Sequence, residues 1–334
     1  MRKEIMTRSI LVGASFVLAS FSLQAQTVST PVVGFQKTSL SANAYKGIGI
    51  SLLNPSVITG SVSGKSGYVV TLTGASGLGA SLENAPASYY LEVTSGANVG
   101  DRFDVDVSAT KSANNATITL ASNSRNTANA QAVNLASGSG VVVRKHVTLD
   151  QVRSSLAGTL RGDDNSYANA DVLYVHNGIT FVGYWLGSDL QSWWSNDDPD
   201  DHRFDVIGPG QGILFYKKGS AATFTSVGSV RPNDYKQVLS AGYQLNAPGY
   251  PLSYTPVALG GSLSNGWNAG DKIFVHDGLA YNANTLMSDG TSVGYWDDGV
   301  NPDPVNSTVL VSGDSSFLTY LSNPVTDIET KPTQ

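Results

Sequence analysis

Cysteine is absent from all 334 residues. That excludes disulfides, thiolate metal sites, a cysteine nucleophile and a lipid anchor carried on cysteine. Charge is scarce as well, with Asp, Glu, Lys and Arg at 14% of the chain. The Glu, Lys and Arg common in helices give way to Gly, Ser, Asn, Ala, Thr and Val, a mixture suited to strands joined by many turns. Only 4 histidines occur, none at His-x-x-x-His spacing. Past residue 25 no apolar run approaches the length of a membrane span. What remains, 41% hydrophobic and 9% aromatic, is enough for a proper core and too apolar for disorder.

The first 25 residues read as a signal peptide. Arg2, Lys3 and Arg8 make a basic start, Ile10 to Leu23 is an apolar run, and Ala25 offers a small residue for cleavage before Gln26. Export to the periplasm, cell surface or medium is therefore expected. Taking Arg2, Lys3, Arg8 and Glu4 from the 20 basic and 26 acidic residues leaves 17 against 25, a net of −8. Such a surface repels nucleic acid and anionic lipid, so neither is expected as a partner.

Residues 26–146 are read as an N-terminal β module. Its strands include Val32 to Phe35, Ile48 to Leu53, Tyr68 to Thr73, Ser88 to Thr94, Ala116 to Leu120 and Val141 to His146. Thr148-Leu149-Asp150-Gln151 has capping-box spacing, which predicts one short helix near 148–157. Residues 147–321 are read as a C-terminal β module, and 322–334 as a polar tail that frays.

Within the C-terminal module the stretch at about 165–216 returns at about 265–318. Asn165, Asp171, Val175, His176, Gly178, Leu186, Ser188 and Asp189 meet identical residues one hundred positions on. A later offset brings Trp194 onto Trp296 and Gly210 onto Gly313. Asn177-Gly178 and Asp277-Gly278 predict two-residue hairpin turns. Asp101, Asp171 and Asp271 each open a strand after Gly or Ala, a turn device rather than a shared carboxylate site. An all-β fold of sandwich or barrel-like modules with an internal duplication follows.

Several strings resemble an uncharacterised family of exported proteins from Verrucomicrobia and related bacteria. They are Tyr89-Tyr90-Leu91-Glu92-Val93-Thr94-Ser95-Gly96 with its Gly-Asp sequel, and Val143-Arg144-Lys145-His146-Val147-Thr148-Leu149. Trp194, Pro209 to Tyr216 and Asn246 to Pro251 extend the resemblance over nearly the whole mature chain. It implies secretion and a β-rich fold, and carries no activity, cofactor or catalytic residue.

Catalytic strings fail on context. Gly290-Thr291-Ser292-Val293-Gly294 matches a nucleophile elbow, yet no histidine follows it in the chain. The better place for a ligand is a pair of corresponding loops. One holds Trp193, Trp194, Asp197, Asp198 and Asp200; the other holds Tyr295, Trp296, Asp297, Asp298 and Asp303. Clustered Asp oxygens suit a hard cation such as Ca²⁺. An exposed Trp or Tyr ring stacks on the C–H face of a sugar. The leading expectation is a non-catalytic secreted or cell-surface protein, structural or adhesive, with Ca²⁺-assisted glycan binding through these loops. The alternatives are an extracellular polysaccharide-acting enzyme using Asp carboxylates, and a self-assembling envelope or matrix subunit.

Overall fold

The computed structural model describes residues 32–122, 130–198, 200–277, 279–300 and 311–332. The expected signal peptide lies outside them. The chain opens with β1 (Val33–Leu40) and β2 (Ala44–Ile48). Six strands follow: β3 (Ser56–Ser66), β4 (Val69–Leu72), β5 (Tyr89–Val93), β6 (Arg102–Asp104), β7 (Thr117–Thr119) and β8 (Gly140–Lys145), with helix α1 (Val107–Ala113) before β7. Next come β9 (Val147–Thr148), helix α2 (Leu149–Ser154), β10 (Leu156–Gly158), β11 (Val172–His176), β12 (Phe181–Leu186), β13 (Trp193–Ser195), β14 (Val206–Ile207), β15 (Ile213–Lys217) and β16 (Ala222–Ser229). The last third holds β17 (Tyr235–Leu239), β18 (Gly242–Asn246), β19 (Lys272–His276), β20 (Tyr281–Met287), β21 (Tyr295–Asp297), β22 (Phe317–Leu321) and β23 (Val325–Glu329). The fold is all-β.

Two five-stranded sheets share one connectivity. The first runs β13-β12-β11-β15-β2 and the second β21-β20-β19-β22-β18. Each is accompanied by an antiparallel pair, β1 with β16 and β17 with β23. The registers correspond, since Val172 faces Trp185 and Tyr216 as Lys272 faces Thr285 and Tyr320. The correspondence therefore reaches back to β2 and β18, where Tyr45 faces Tyr216 and Tyr243 faces Tyr320. Between β2 and β9 the first unit carries a six-stranded sheet of its own, in the order β6-β5-β8-β3-β4-β7.

This arrangement departs from a division at residue 146. β1 and β2 pair with strands of the first unit, not with the six-stranded sheet. The tail does not fray: β23 pairs along its length with β17 and buries Val325, Asp327 and Glu329. Its alternation of buried and exposed residues is that of a strand, masked in sequence by acids on the buried side. Register also corrects two alignments. Leu186 faces Trp193 and Leu286 faces Trp296, so Trp296 corresponds to Trp193 rather than to Trp194. Tyr216 corresponds to Tyr320, which sets Gly210 against Asp314 instead of Gly313.

Local chemistry accounts for the elements. Thr148 caps α2 by accepting from the Gln151 N–H at 3.3 Å, as the capping spacing predicts. A second helix, α1, was not expected; Asp106 caps it, accepting from the Ala109 N–H at 2.8 Å. The hairpins close through four residues, not two, since His176 faces Phe181 and His276 faces Tyr281. In each loop the Asx carbonyl or carboxylate accepts two backbone N–H groups: Ile179 and Thr180 on Asn177, Leu279 and Ala280 on Asp277. In the first loop Gly178 takes a left-handed φ of 97° and the side-chain bonds hold the residues after it. The loops leave Ile179 and Leu279 almost fully exposed at their tips.

The units also touch reciprocally. Gly212 N–H donates to Leu245 O at 3.0 Å and Ala247 N–H to Gly210 O at 2.8 Å, while Gly49 N–H donates to Asp314 O at 3.0 Å. Gly47 and Gly49 lie so close to Ser315 and Ser316 that an added Cβ would meet their atoms at 2.7 and 2.6 Å. Each unit thus lends the loop before its fourth strand to the edge strand of the other.

Buried charge joins the six-stranded sheet to the second unit. Alternation along β5 sends Tyr89, Leu91 and Val93 into an apolar core, and Tyr90 and Glu92 to the opposite face. There Glu92, fully buried, is paired with Arg231 and lies 4.0 Å from Arg144. The Arg102 and Arg231 guanidiniums sit 4.5 and 4.8 Å from the Tyr235 ring centroid. Glu329 accepts the Gly249 N–H with both oxygens, at 3.1 and 2.9 Å. Burial pushes the Glu329 carboxyl up to about 7, against the opposing pull of that N–H and of Arg231 and Arg102.

Two outcomes are expected. A carboxyl whose folded pKa is raised holds its proton more tightly in the folded chain. Its contribution therefore favours folding at low pH and is lost as pH rises from the ordinary carboxylate range through about 7. Glu329→Gln should match the parent near pH 4.5 and exceed it by about 3 kcal/mol near pH 8, read from urea melts at both values; a constant difference across pH would refute this. The second concerns Asp171, which holds the buried Lys217 Nζ at 2.8 Å and the Lys218 N–H, where Asp271 holds the Ser322 N–H and hydroxyl. Lys217→Leu should cost about 3–5 kcal/mol by leaving a buried charge. Adding Lys218→Ser, which copies Leu321-Ser322, should restore part of that loss in thermal melts.

Candidate functional site

The expected Trp/Asp loops come apart in three dimensions. Trp193 and Trp296 are fully buried on the inner faces of the two sheets, packed with Leu186 and Leu286. Trp296 meets Trp267 edge to face at 5.7 Å and donates its indole N–H to Gly261 O at 2.9 Å. Neither ring can stack on a sugar, which corrects their assignment as ligand residues. Parity explains the result: adjacent residues of a strand face opposite ways, and the inner face takes Trp193. Tyr295 and Trp194 are half-buried, and Trp194 lies on the outer face.

The loop carboxylates serve the turns. Asp198 accepts the Asp200 N–H, Asp297 the Gly299 N–H and Asp298 the Val300 N–H, each at 2.9 Å. The Asp197 N–H donates to the Ser195 hydroxyl at 3.3 Å, and Asp200 is exposed. Asp303 lies outside the described residues. Among the described residues no group of three or more His, Asp or Glu side chains converges as a metal site would require. His176 likewise serves its hairpin, accepting the Gly178 N–H on Nδ1 at 3.1 Å.

What the structure assembles instead is an aromatic row across the first sheet. Register sets Trp194 beside Trp185, Trp185 beside Val172, Val172 beside Tyr216 and Tyr216 beside Tyr45. Neighbouring strands stand about 4.8 Å apart, so these residues form one line perpendicular to the chain direction. Tyr45 and Tyr216 meet at 4.8 Å between centroids, Tyr174 joins Tyr45 at 6.0 Å, and Tyr167 lies over Trp185 at 6.5 Å. Val172 and Trp185 form the buried base, while Tyr167 is 54% and Tyr45 40% exposed.

The second sheet keeps half of this. Tyr243, Phe274 and Tyr320 repeat the Tyr45, Tyr174 and Tyr216 cluster with centroids at 6.0 and 4.9 Å. At the positions of Trp194, Trp185 and Val172, however, it has Asp297, Thr285 and Lys272. Leu214, Leu245 and Leu318 are buried between Tyr174 and Phe181 on one side and Phe274 and Tyr281 on the other, so the two outer faces adjoin. Sequence reading missed Tyr45 and Tyr216 because nothing local marks them. The echo of Ala44-Tyr45-Lys46 in Gly242-Tyr243-Gln244 was the available signal.

No family model, curated protein or solved structure matches the chain. Among the described residues no helix is long and apolar enough to cross a membrane.

The burial pattern makes a direct expectation. Trp193→Ala and Trp296→Ala should each cost about 3–5 kcal/mol by opening core cavities. Trp194→Ala, on the outer face, should cost less than about 2 kcal/mol. Chemical denaturation of the three variants checks this, and equal losses at all three would show that Trp194 is core as well.

Proposed function

We propose that this chain is an exported, non-catalytic protein of structural or adhesive type that binds glycans across the aromatic row of its first sheet unit. The observation that carries the reading is the difference between the two units. Both satisfy the same strand connectivity and the same inner core, so the fold does not require rings at Trp194 and Trp185, where the second unit has Asp297 and Thr285. Flat, amphipathic rings with polar edges suit a ligand whose apolar C–H faces alternate with hydroxyls. The basic, apolar leader and the resemblance to exported bacterial proteins support a location where glycans are met. Engagement of Asp198, Asp297 and Asp298 in turn bonds supports binding over hydrolysis.

One observation favours self-association as a second reading. On the β1–β16 ribbon Phe35 faces Val227, and the two are 74% and 61% exposed beside Val33. Exposed apolar surface of this kind marks interaction sites.

Affinity electrophoresis of the mature protein in gels containing hydroxyethylcellulose, laminarin or xylan tests the first reading. At least one should retard the parent, and Trp194→Ala with Tyr45→Ala should weaken the retardation while leaving the melting temperature within a few degrees. Retardation by none, or unchanged retardation of the double variant, would sink it. Sedimentation of Phe35→Ser against the parent tests the second, which requires the parent alone to grow with concentration.

A further inference from the structure

A cleft of about 560 Å³ lies where the first hairpin meets the edge of the second unit. Its walls come from His176, Asn177 and Gly178, from the loop at Gly208 and Gln211, and from residues 237–246. None of its lining residues carries a formal charge; amides dominate instead. The amides are held in a consistent way. Gln211 accepts the Gly208 N–H at 3.0 Å, Gln244 accepts the Ser240 N–H at 3.1 Å, and Asn177 accepts from Ile179 and Thr180 at 3.0 and 2.9 Å. In all three the side-chain oxygen is tied down, which leaves the NH₂ end to donate. His176 is tied in the same sense: its Nδ1 accepts from Gly178, so the proton of the neutral ring sits on Nε2. Burial lowers the pKa of this ring, which keeps it neutral. Below them Gln237 is saturated, donating to Gly210 O at 3.1 Å and to Asn246 Oδ1 at 2.9 Å while accepting from the Tyr235 hydroxyl at 3.0 Å. That network makes a rigid floor.

The second unit again serves as an internal comparison. At the opposite junction, where the second hairpin meets the edge strand β2 of the first unit, the positions matching His176, Asn177, Gln211 and Gln244 hold His276, Asp277, Ser315 and Lys46. The His276 ring feels both charges: burial lowers its pKa most, Asp277 raises it and Lys46 lowers it. One junction between the units is therefore an ionic cluster and the other an uncharged set of donors.

We propose that the uncharged cleft is a binding site for a neutral oligosaccharide. Fixed donors recognise oxygen acceptors, the lack of any cation in the lining leaves the desolvation of an anion uncompensated, and Val238 and Ala241 supply apolar surface for C–H groups. Pre-set side chains lose little freedom on binding, which favours affinity from few contacts. The site deepens the glycan-binding reading in ligand class, but it stands on residues separate from the aromatic row.

Isothermal titration of the full mature protein with cellotetraose, laminaritetraose and xylotetraose, and with tetragalacturonate as the anionic control, tests it. At least one neutral tetrasaccharide should bind, and tetragalacturonate should bind at least tenfold more weakly. Gln211→Ser with Gln244→Lys, which copies the opposite junction at part-exposed positions, should weaken binding by tenfold or more with the melting temperature unchanged. Trp194→Ala with Tyr45→Ala, titrated with the same ligand, separates this site from the aromatic row. Binding of no neutral tetrasaccharide, tighter binding of tetragalacturonate, or full affinity in the Gln211/Gln244 variant would overturn the cleft. Binding lost only in the Trp194/Tyr45 variant would leave the aromatic row standing and remove the cleft; loss only in the Gln211/Gln244 variant would do the reverse.

Discussion

Glu92 and the arginines around it are the interaction on which the assembly depends. Two ionic faces meet there: Glu92, Arg102 and Arg144 from the six-stranded sheet, and Arg231 with Glu329 from the start and end of the second unit. Removing water from so many charges is costly; at Glu92 the arginines offset the cost, whereas at Glu329 burial outweighs them. A hydrophobic joint would tolerate sliding, because apolar contact has no direction. This joint has direction: the Arg231–Glu92 pair, two guanidiniums on the Tyr235 ring and the Gly249 N–H on Glu329 each fix an orientation. The six-stranded sheet, set into the first unit between β2 and β9, is thereby locked to the second.

The two sheet units separate structural need from chemical opportunity within one chain. Positions that agree are those of the inner core and the strand openings: Trp193 with Trp296, Leu186 with Leu286, Asp171 with Asp271. Those that differ lie on part of the outer face, where Trp194 and Trp185 stand against Asp297 and Thr285, and at the two junctions, one lined by amides and the other charged. Asp171 and Asp271 show how one structural role survives different partners. Both hold the backbone N–H that follows the fourth strand, one beside a buried Lys217 and the other beside the Ser322 hydroxyl.

Much of the fold was legible in the sequence for physical reasons. The hundred-residue spacing found β11, β12, β19 and β20, and capping chemistry found α2. Parity was not legible: Trp193 and Trp194 are neighbours, and which of them turns inward depends on register with Leu186. β23 was missed because its buried side carries two acids: Glu329, which the Gly249 N–H, Arg231 and Arg102 make tolerable, and Asp327, whose carboxyl burial and Glu329 push well above the usual range, toward the neutral form. The same holds for the cleft. Gln211, Gln244 and Asn177 are unremarkable in sequence and become a set only when the first hairpin meets the edge of the second unit.

The reciprocal loops between the units bear on the order of folding. Gly49 finds its partner at Asp314, and the loop at 210–212 finds its own in β18, so neither edge is finished until the other unit exists. Contacts so distant along the chain carry a large loop-closure cost before they repay it, and they slow folding. A ribosome emits residues 44–49 long before residues 314–316, so β2 waits with an open edge for almost the whole of synthesis. The edges of β2 and of the 210–212 loop are therefore completed only after the C-terminal strands have been made, whereas the six-stranded sheet draws every strand from residues 56–145.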